Sequence, residues 1–192
     1  IGRLNVREIS VDARGRMLPE VLAASIAADL ETGFQPFFVN ATAGTTVRGA
    51  FDPLPEIADV ARAAGLWLHV DAAFGGSLLL SPEHRHLLAG CERADSLAWD
   101  PHKMMGVPLQ SSVLLLARRG LLARNLDESA DYLFQADPDE LNPGRRSLQC
   151  GRPNDAFKLW AAWQRLGNDG WATRLGRQMA LARRAAELIR ND

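Results

Sequence analysis

ADSLAWDPHKMMGVPLQ, residues 94 to 110, joins an apolar run to a lysine in an unusual setting. Residues 96 to 99 predict a short buried strand, which ends near a proline and is followed at once by His102 and Lys103. Apolar residues then continue to Leu109, and a lysine is almost never fully buried unless it is paired or used. Taken alone, this stretch favours a lysine that extends from a loop to water. Any other interpretation has to come from the rest of the chain.

Before this stretch, apolar strands alternate with amphipathic helices. The helix candidates place apolar residues three or four positions apart, whereas the strand at 66–70 lacks polar alternation, as strands covered on both faces do. We predict strands over 4–11, 36–41 and 66–70 and helices over 18–30, 54–61 and 84–88 before the stretch, and one more strand over 111–117 after it. This alternation predicts an α/β fold with a mostly parallel sheet flanked by helices.

After the lysine the pattern changes. Periodicity is lost from 121 to 151, and about 30 residues without clear structure inside a domain are usually functional or disordered. Residues 153–192 predict two long helices that are broken at 167–170 and contribute tryptophans to the core. The chain begins without a methionine and this helical pattern is unfinished at its end. We therefore interpret the 192 residues as a fragment of a longer protein.

Composition excludes several classes of function. The net charge is -1, with 22 basic and 23 acidic residues, and the basic residues are scattered, so neither nucleic acid nor a membrane surface is an expected partner. The longest apolar run is far below the roughly 20 residues of a membrane helix. Cys91 and Cys150 lack metal-like or redox spacing, which favours a cytoplasmic protein with free thiols. His84 and His86 are expected to be solvated rather than to bind a metal.

Three predicted strand ends carry polar residues: Thr42 to Thr46, Asp71 and the turn that holds Lys103. Ligands of open parallel sheets bind beyond the carboxyl ends of the strands. The small residues after Asp71, beginning Ala72-Ala73, let a flat ligand approach the backbone closely. An acid and a lysine at neighbouring strand ends suit pyridoxal phosphate, since the amine forms an imine with the aldehyde and the carboxylate keeps the pyridine nitrogen protonated.

Five ordered motifs resemble the pyridoxal-phosphate-dependent amino-acid decarboxylases, and within them the glutamate, aspartate and cysteine-sulfinate branch. The similarity covers nearly the whole chain and is weaker before Phe37 and after Gly170. The motifs are NATAGTTVRGAFDPL (40–54), LWLHVDAAFGGSLLLSPEHRHLLAG (66–90), ADSLAWDPHKMMGVPLQSSVLLL (94–116), YLFQ (132–135) and LQCGRPNDAFKLW (148–160).

The resemblance implies roles for individual residues. Lys103 would be the lysine that binds the cofactor aldehyde, and Asp71 the partner of the pyridine nitrogen. Ala73 would pack on one face of the ring, His102 beside the phosphate, and Thr45 close to the ring edge and Asp71. These statements rest on the family and not on spacing.

The catalytic loop of the family matches 121–151. Tyr132, the only tyrosine, would return a proton to Cα after carbon dioxide leaves. In the family this loop covers the active site of the neighbouring subunit of a homodimer, and protonation at the cofactor carbon would instead give an aldehyde and pyridoxamine phosphate.

The resemblance also implies what kind of domain this is. The chain would be the central part of the large cofactor domain of a fold-type I enzyme, with 153–192 leading toward a C-terminal small domain. The main phosphate loop, the ring-stacking histidine and the substrate arginine of the family lie outside it, and no GxGxxG or P-loop motif occurs. Asp100 departs from the family, which often has an asparagine facing the phosphate there.

The expected reaction is decarboxylation of an acidic L-amino acid, with glutamate ahead of aspartate and cysteine sulfinate. An aminotransferase or lyase on the same fold remains open. A non-catalytic α/β module with a structural Lys103 is the alternative from another class, and the fragment alone is expected to be inactive.

Overall fold

The computed structural model describes residues 2–126, 147–149 and 151–191. The chain divides into two units, 1–115 with 155–192 and 116–154. Its helices and strands, in chain order, are α1 (Pro19–Glu31), β1 (Phe38–Thr42), α2 (Leu54–Ala63), β2 (Trp67–Asp71), β3 (Ser96–Trp99), β4 (Val113–Leu116), α3 (Leu121–Leu126) and α4 (Asp155–Asn191). Short 3-10 helices lie at Arg3–Asn5, Gly75–Leu80, Arg85–Leu88 and Cys91–Arg93. This order confirms the predicted α/β class.

The four strands form one sheet in the order β1-β2-β3-β4. β1 pairs with β2 in parallel, and β2 with β3 in parallel, with Asp71 opposite both Thr42 and Ala98. The carboxyl ends of these three strands therefore meet at one edge. The predicted site residues follow that edge.

One face of the sheet is buried under helices. Val39, Leu68, Val70 and Leu97 alternate onto this face and pack with the apolar residues of α2. The spacing of those helical residues places them on one side of the helix, as predicted, and all are buried: Leu54, Ile57, Ala58 and Ala61. Each large apolar side chain that is fully buried in this way stabilises the folded state by about 1.5–3 kcal/mol.

The opposite face is only partly covered. Phe38 and Asn40 are exposed there, and Trp67 and His69, their neighbours in register, are half-buried. The prediction that the strand at 66–70 is covered on both faces is therefore wrong within the part of the chain that the structure describes. On this face the strand forms a side-chain hydrogen bond to the neighbouring strand: the Trp67 indole N–H donates to Ser96 Oγ at 2.8 Å.

Three other sequence predictions need correction. The stretch 121–151 was expected to lack clear structure, but its first residues form the helix α3, Leu121–Leu126. Residues 4–11 form no strand among the described residues, because a 3-10 turn precedes Arg7, whose guanidinium pairs with Asp29 at 2.9 Å and lies 4.8 Å from the Phe34 ring centre. The strand at 111–117 is present as β4, but it is not buried, since Leu114 and Leu115 are about half exposed.

The helical segment at the end of the chain breaks where expected. Gly167 has φ 63° and ψ -176°, values outside the helical region, so α4 consists of two helices joined at a kink. Only part of the predicted tryptophan core is buried. Trp171 is buried, Trp163 is half-buried and Trp160 is exposed. No helix in the described ranges combines the length and apolar character needed to cross a membrane.

Candidate active site

Backbone hydrogen bonds connect the three strand ends. The Ala43 N–H donates to Asp71 O at 2.8 Å, which connects the turn after β1 to the end of β2. The Asp100 N–H donates to Ala73 O at 3.2 Å, which connects the segment after β2 to the turn after β3. The sheet thus brings the three predicted strand-end segments side by side.

The turn after β3 is held in place by buried residues. Pro101 and Met105 are fully buried, and Val107 is 3% exposed. Met105 and Val107 form a second apolar cluster with Trp171 of α4, against which Trp163 packs. The Trp99 indole N–H donates to Ser77 Oγ at 2.9 Å, which fixes the last residue of β3. The backbone that presents Lys103 is therefore rigidly supported.

Lys103 is the exposed member of this turn, with 40% of its side chain accessible. Its Nζ lies 3.0 Å from Oδ2 of Asp100, whose side chain is only 17% exposed. The Lys103 N–H also donates to Asp100 O at 2.9 Å, which closes the turn. The lysine therefore does not simply extend to water, because it is paired with a carboxylate three residues earlier.

His102 is held by Ser111 rather than by Asp100. Its Nδ1 lies 2.7 Å from Ser111 O, and the Ser111 N–H is 3.2 Å from the same nitrogen. Its Nε2 is 3.9 Å from Asp100 Oδ2, beyond hydrogen-bonding distance. One ring nitrogen is thus anchored to the segment before β4. Ser111 is a supporting residue that the sequence did not reveal, because two residues nine positions apart and outside any regular pattern give no sign that they are in contact.

Asp71 ends β2 with its carboxylate turned onto the following backbone, where Oδ1 accepts from the Ala73 N–H at 3.0 Å. His69, two residues earlier on the same face, lies 2.7 Å through Nδ1 from Ser96 Oγ. Burial lowers the pKa of His69, and the Asp71 carboxylate offsets this only in part. The imidazole beside Asp71 is therefore kept neutral, a feature absent from the sequence-based site.

Glycines allow the first two strand ends to approach each other. A Cβ on Gly75 would lie 2.4 Å from Ala43 O, and a Cβ on Gly44 would lie 2.9 Å from Gly75 N. Thr45 follows directly, and its Oγ1 accepts from the Ala50 N–H at 3.0 Å. The hydroxyl therefore shapes its own turn. The predicted place of Thr45 beside a cofactor stays a prediction.

Other predicted residues have mixed outcomes. Tyr132 and Cys150 lie outside the described residues. His84 is buried, at 6% exposure, so the expectation that it is solvated is wrong. It follows the Ser81 turn, whose carbonyl accepts from the His84 and Arg85 N–H groups, and so it points into the fold before the 3-10 helix begins. His86 is exposed as expected.

The family comparison agrees with this geometry. A family model described as the pyridoxal-dependent decarboxylase conserved domain matches residues 1–192. The chain belongs to the pyridoxal-dependent decarboxylase family.

Among curated relatives, cysteine sulfinic acid decarboxylase from Rattus norvegicus is 49% identical over 194 residues, covering 99% of this chain and 39% of that protein. An acidic amino acid decarboxylase from Bos taurus is 47% identical, covering 99% of the chain and 37% of that protein.

Solved structures give the same assignment. The crystal structure of mouse CSAD superposes with a TM-score of 0.93 at 46% identity, covering all of this chain and 40% of that one. The crystal structure of Oryza sativa TDC with PLP and tryptamine has a TM-score of 0.93 at 32% identity, with the same coverage. The sheet and the helices flanking it are therefore those of a fold-type I decarboxylase. The chain spans about two fifths of the length of the relatives it matches.

The side chains at this site fit the cofactor that names the family. The site offers an accessible amine, a carboxylate at the adjacent strand end and an anchored imidazole. These groups match the needs of a pyridoxal cofactor for a nucleophile, a partner for the ring nitrogen and a phosphate contact. Ala72 and Ala73 add little side-chain bulk between them.

Proposed function

We propose that the protein containing this chain is a pyridoxal-phosphate-dependent decarboxylase of acidic L-amino acids. The observation that carries the proposal is the Asp100 N–H to Ala73 O hydrogen bond, which fixes the Lys103 turn against the segment that begins at Asp71. This bond joins the two segments that carry Asp71 and Lys103, the residues that the cofactor chemistry requires.

Each residue has one task in this proposal. Lys103 would hold the cofactor through its amine, and Asp71 would pair with the ring nitrogen and keep it protonated. His102, whose Nδ1 is anchored at Ser111, would contact the phosphate through its other nitrogen. Ala73 would leave room for the ring, and Thr45 would lie at its edge. When bound, the cofactor supplies an electron sink for the bond between Cα and the carboxylate.

Tyr132 has the last task, which is to donate a proton to Cα once carbon dioxide has left. We place it on a catalytic loop over 121–151, at an active site that two subunits of a cytoplasmic homodimer share. The chain itself would be the central part of the large domain, with 153–192 leading to a small domain. These assignments follow the family resemblance.

The substrate class comes from the relatives. By their names, two of them act on cysteine sulfinic acid and on acidic amino acids. Glutamate, the first expectation from sequence, is not singled out by these names. Cysteine sulfinate therefore ranks beside glutamate and aspartate as a candidate.

The test measures carbon dioxide release by the complete protein from cysteine sulfinate, glutamate and aspartate, with tryptophan and lysine as comparison substrates. We expect the native protein to release carbon dioxide from at least one acidic substrate, and we expect Lys103→Ala to release none from that substrate. Release only from tryptophan or lysine would refute the acidic class. Keto-acid formation without carbon dioxide would indicate an aminotransferase, and no reaction with any amino acid would favour the non-catalytic module.

A second variant addresses Tyr132. Tyr132→Phe should slow amine formation by about a hundredfold, within the usual range for a lost proton donor. It should also divert product toward the aldehyde and pyridoxamine phosphate. An unchanged product ratio would contradict the role given to this tyrosine.

A further inference from the structure

Asp100 has no role in the site as assigned so far, although its carboxylate is the charged group next to the reactive amine. Its side chain is 17% exposed, so it is largely withdrawn from water. Within the described ranges, the nitrogen-bearing side chains paired with it within 4 Å are those of its own turn, the Lys103 amine at 3.0 Å and the His102 imidazole at 3.9 Å. A carboxylate withdrawn from water needs such partners.

The backbone that carries the carboxylate is held independently of the ion pair. The Asp100 N–H is bonded to Ala73 O, and Val107 N–H donates to Pro101 O at 3.2 Å. Pro101 is fully buried. The backbone of Asp100 thus has support of its own and its short side chain is 17% exposed, whereas the lysine side chain is long and 40% exposed. The carboxylate acts as a fixed anchor and the amine as the moving partner.

We propose that Asp100 is a positioning residue that holds the Lys103 ammonium before the cofactor binds and must release it before the amine can react with an aldehyde. This inference rests on the proposed function and goes beyond it, because it assigns a second residue to the capture of the cofactor.

The chemical step balances without any oxidant. The ammonium loses one proton to solvent and leaves Asp100, which frees a lone pair on Nζ. Nζ attacks the aldehyde carbon, a C–N bond forms, and the carbonyl oxygen departs as water with the two remaining amine protons. The product has a C=N bond and no net change in oxidation state. The hydrogen bond between Lys103 Nζ and Asp100 Oδ2, at 3.0 Å, has to break before Nζ can approach the aldehyde, and this slows the first event.

The chain contains a matched control for this pair. Lys103 and Lys158 are its two lysines, and each is paired with an aspartate three residues earlier. Lys158 Nζ lies 2.7 Å from Asp155 Oδ1, and both side chains are partly exposed at the start of α4. The two pairs share chemistry and spacing. They differ in place, since only Asp100 follows a strand at the carboxyl edge of the sheet.

The experiment uses the complete protein stripped of cofactor and follows the absorbance of the C=N bond after addition of pyridoxal phosphate or of phosphate-free pyridoxal. Asp100→Asn, which keeps the shape of the side chain but not its charge, should capture both aldehydes about two- to five-fold faster, the factor expected for a partly exposed ion pair. Asp100→Glu should return toward the native rate, because its carboxylate can still reach the amine. Asp155→Asn should capture at the native rate. High salt should raise the native rate toward that of Asp100→Asn, because it screens the pair.

Several results would overturn the inference. Capture by Asp100→Asn at or below the native rate would show that the carboxylate does not restrain the amine. Acceleration with pyridoxal phosphate alone would mean that Asp100 repels the phosphate instead, and equal acceleration by Asp155→Asn would mean a general charge effect. Failure of the native protein itself to capture either aldehyde, or full capture by Lys103→Ala, would refute the proposed function. Circular dichroism confirms that each variant is folded.

Discussion

Replacement of Gly75 by alanine should separate the first two strand ends. The added Cβ would lie 2.4 Å from Ala43 O and 2.7 Å from a ring carbon of Phe51. Both distances are under 3.0 Å, so one of the two loops has to move. Overpacking of this kind costs about 1–3 kcal/mol, and a clash with a backbone oxygen belongs at the upper end of that range. The shift would also pull Ala43 away from the Asp71 carbonyl.

A glycine elsewhere in the chain gives the matched control. Gly176 lies inside α4, and a Cβ there would meet nothing within 4 Å. Alanine at this position should stabilise the protein by about 0.5–1 kcal/mol, because it restricts the unfolded chain. Unfolding of the complete protein, followed by circular dichroism in urea, should show a lower midpoint for Gly75→Ala and an equal or higher one for Gly176→Ala. A native midpoint for Gly75→Ala would refute the interlocked strand ends.

Two further predictions concern Asp52 and His69. Asp52 is 8% exposed and its carboxylate accepts hydrogen bonds from the Met17 and Thr42 N–H groups at 2.7 Å each. Asp52→Ala should lower the free energy of unfolding by about 2–4 kcal/mol because it leaves both donors unpaired, whereas Asp59→Ala, at an exposed carboxylate, should lower it by under about 1 kcal/mol. Equal losses of the two variants in urea unfolding would contradict the bridging role of Asp52. Burial lowers the pKa of His69 in the folded chain from its ordinary value of 6.5. Near and below pH 6.5 the unfolded chain therefore binds a proton at His69 more readily than the folded chain does. The free energy of unfolding should consequently fall as the pH drops from 7 through 6.5 and below. His69→Gln should make this fall smaller, whereas His86→Gln should leave it unchanged. An identical pH dependence of stability in the native protein and both variants would refute the role given to His69.

Local patterns in the sequence predicted the parts of the fold that depend on neighbours in the chain. The apolar spacing from Leu54 to Ala61 gave the buried face of α2 correctly, because a helix repeats its facing every three to four residues. The break near Gly167 was also predictable, since glycine adopts positive φ at little cost.

Long-range contacts could not be read in this way. Asp52 lies just before the predicted helix at 54–61, yet its carboxylate accepts hydrogen bonds from the N–H groups of Met17 and Thr42 on other segments. The contact between His102 and Ser111 depends on how the chain folds back before β4. The pairing of Asp100 with Lys103 depends on the turn that Pro101 and Met105 anchor. The departure at Asp100 was visible in the sequence, but its partner was not.

The central claim is that Lys103 is the residue that binds the cofactor. The most direct measurement is reduction of the cofactor-loaded complete protein with borohydride, followed by peptide mass spectrometry. The account predicts a pyridoxyl group on the peptide that contains Lys103 and none on the peptide that contains Lys158, the other lysine of the chain. A label on Lys158, or an unlabelled Lys103 in protein that has bound the cofactor, would contradict it.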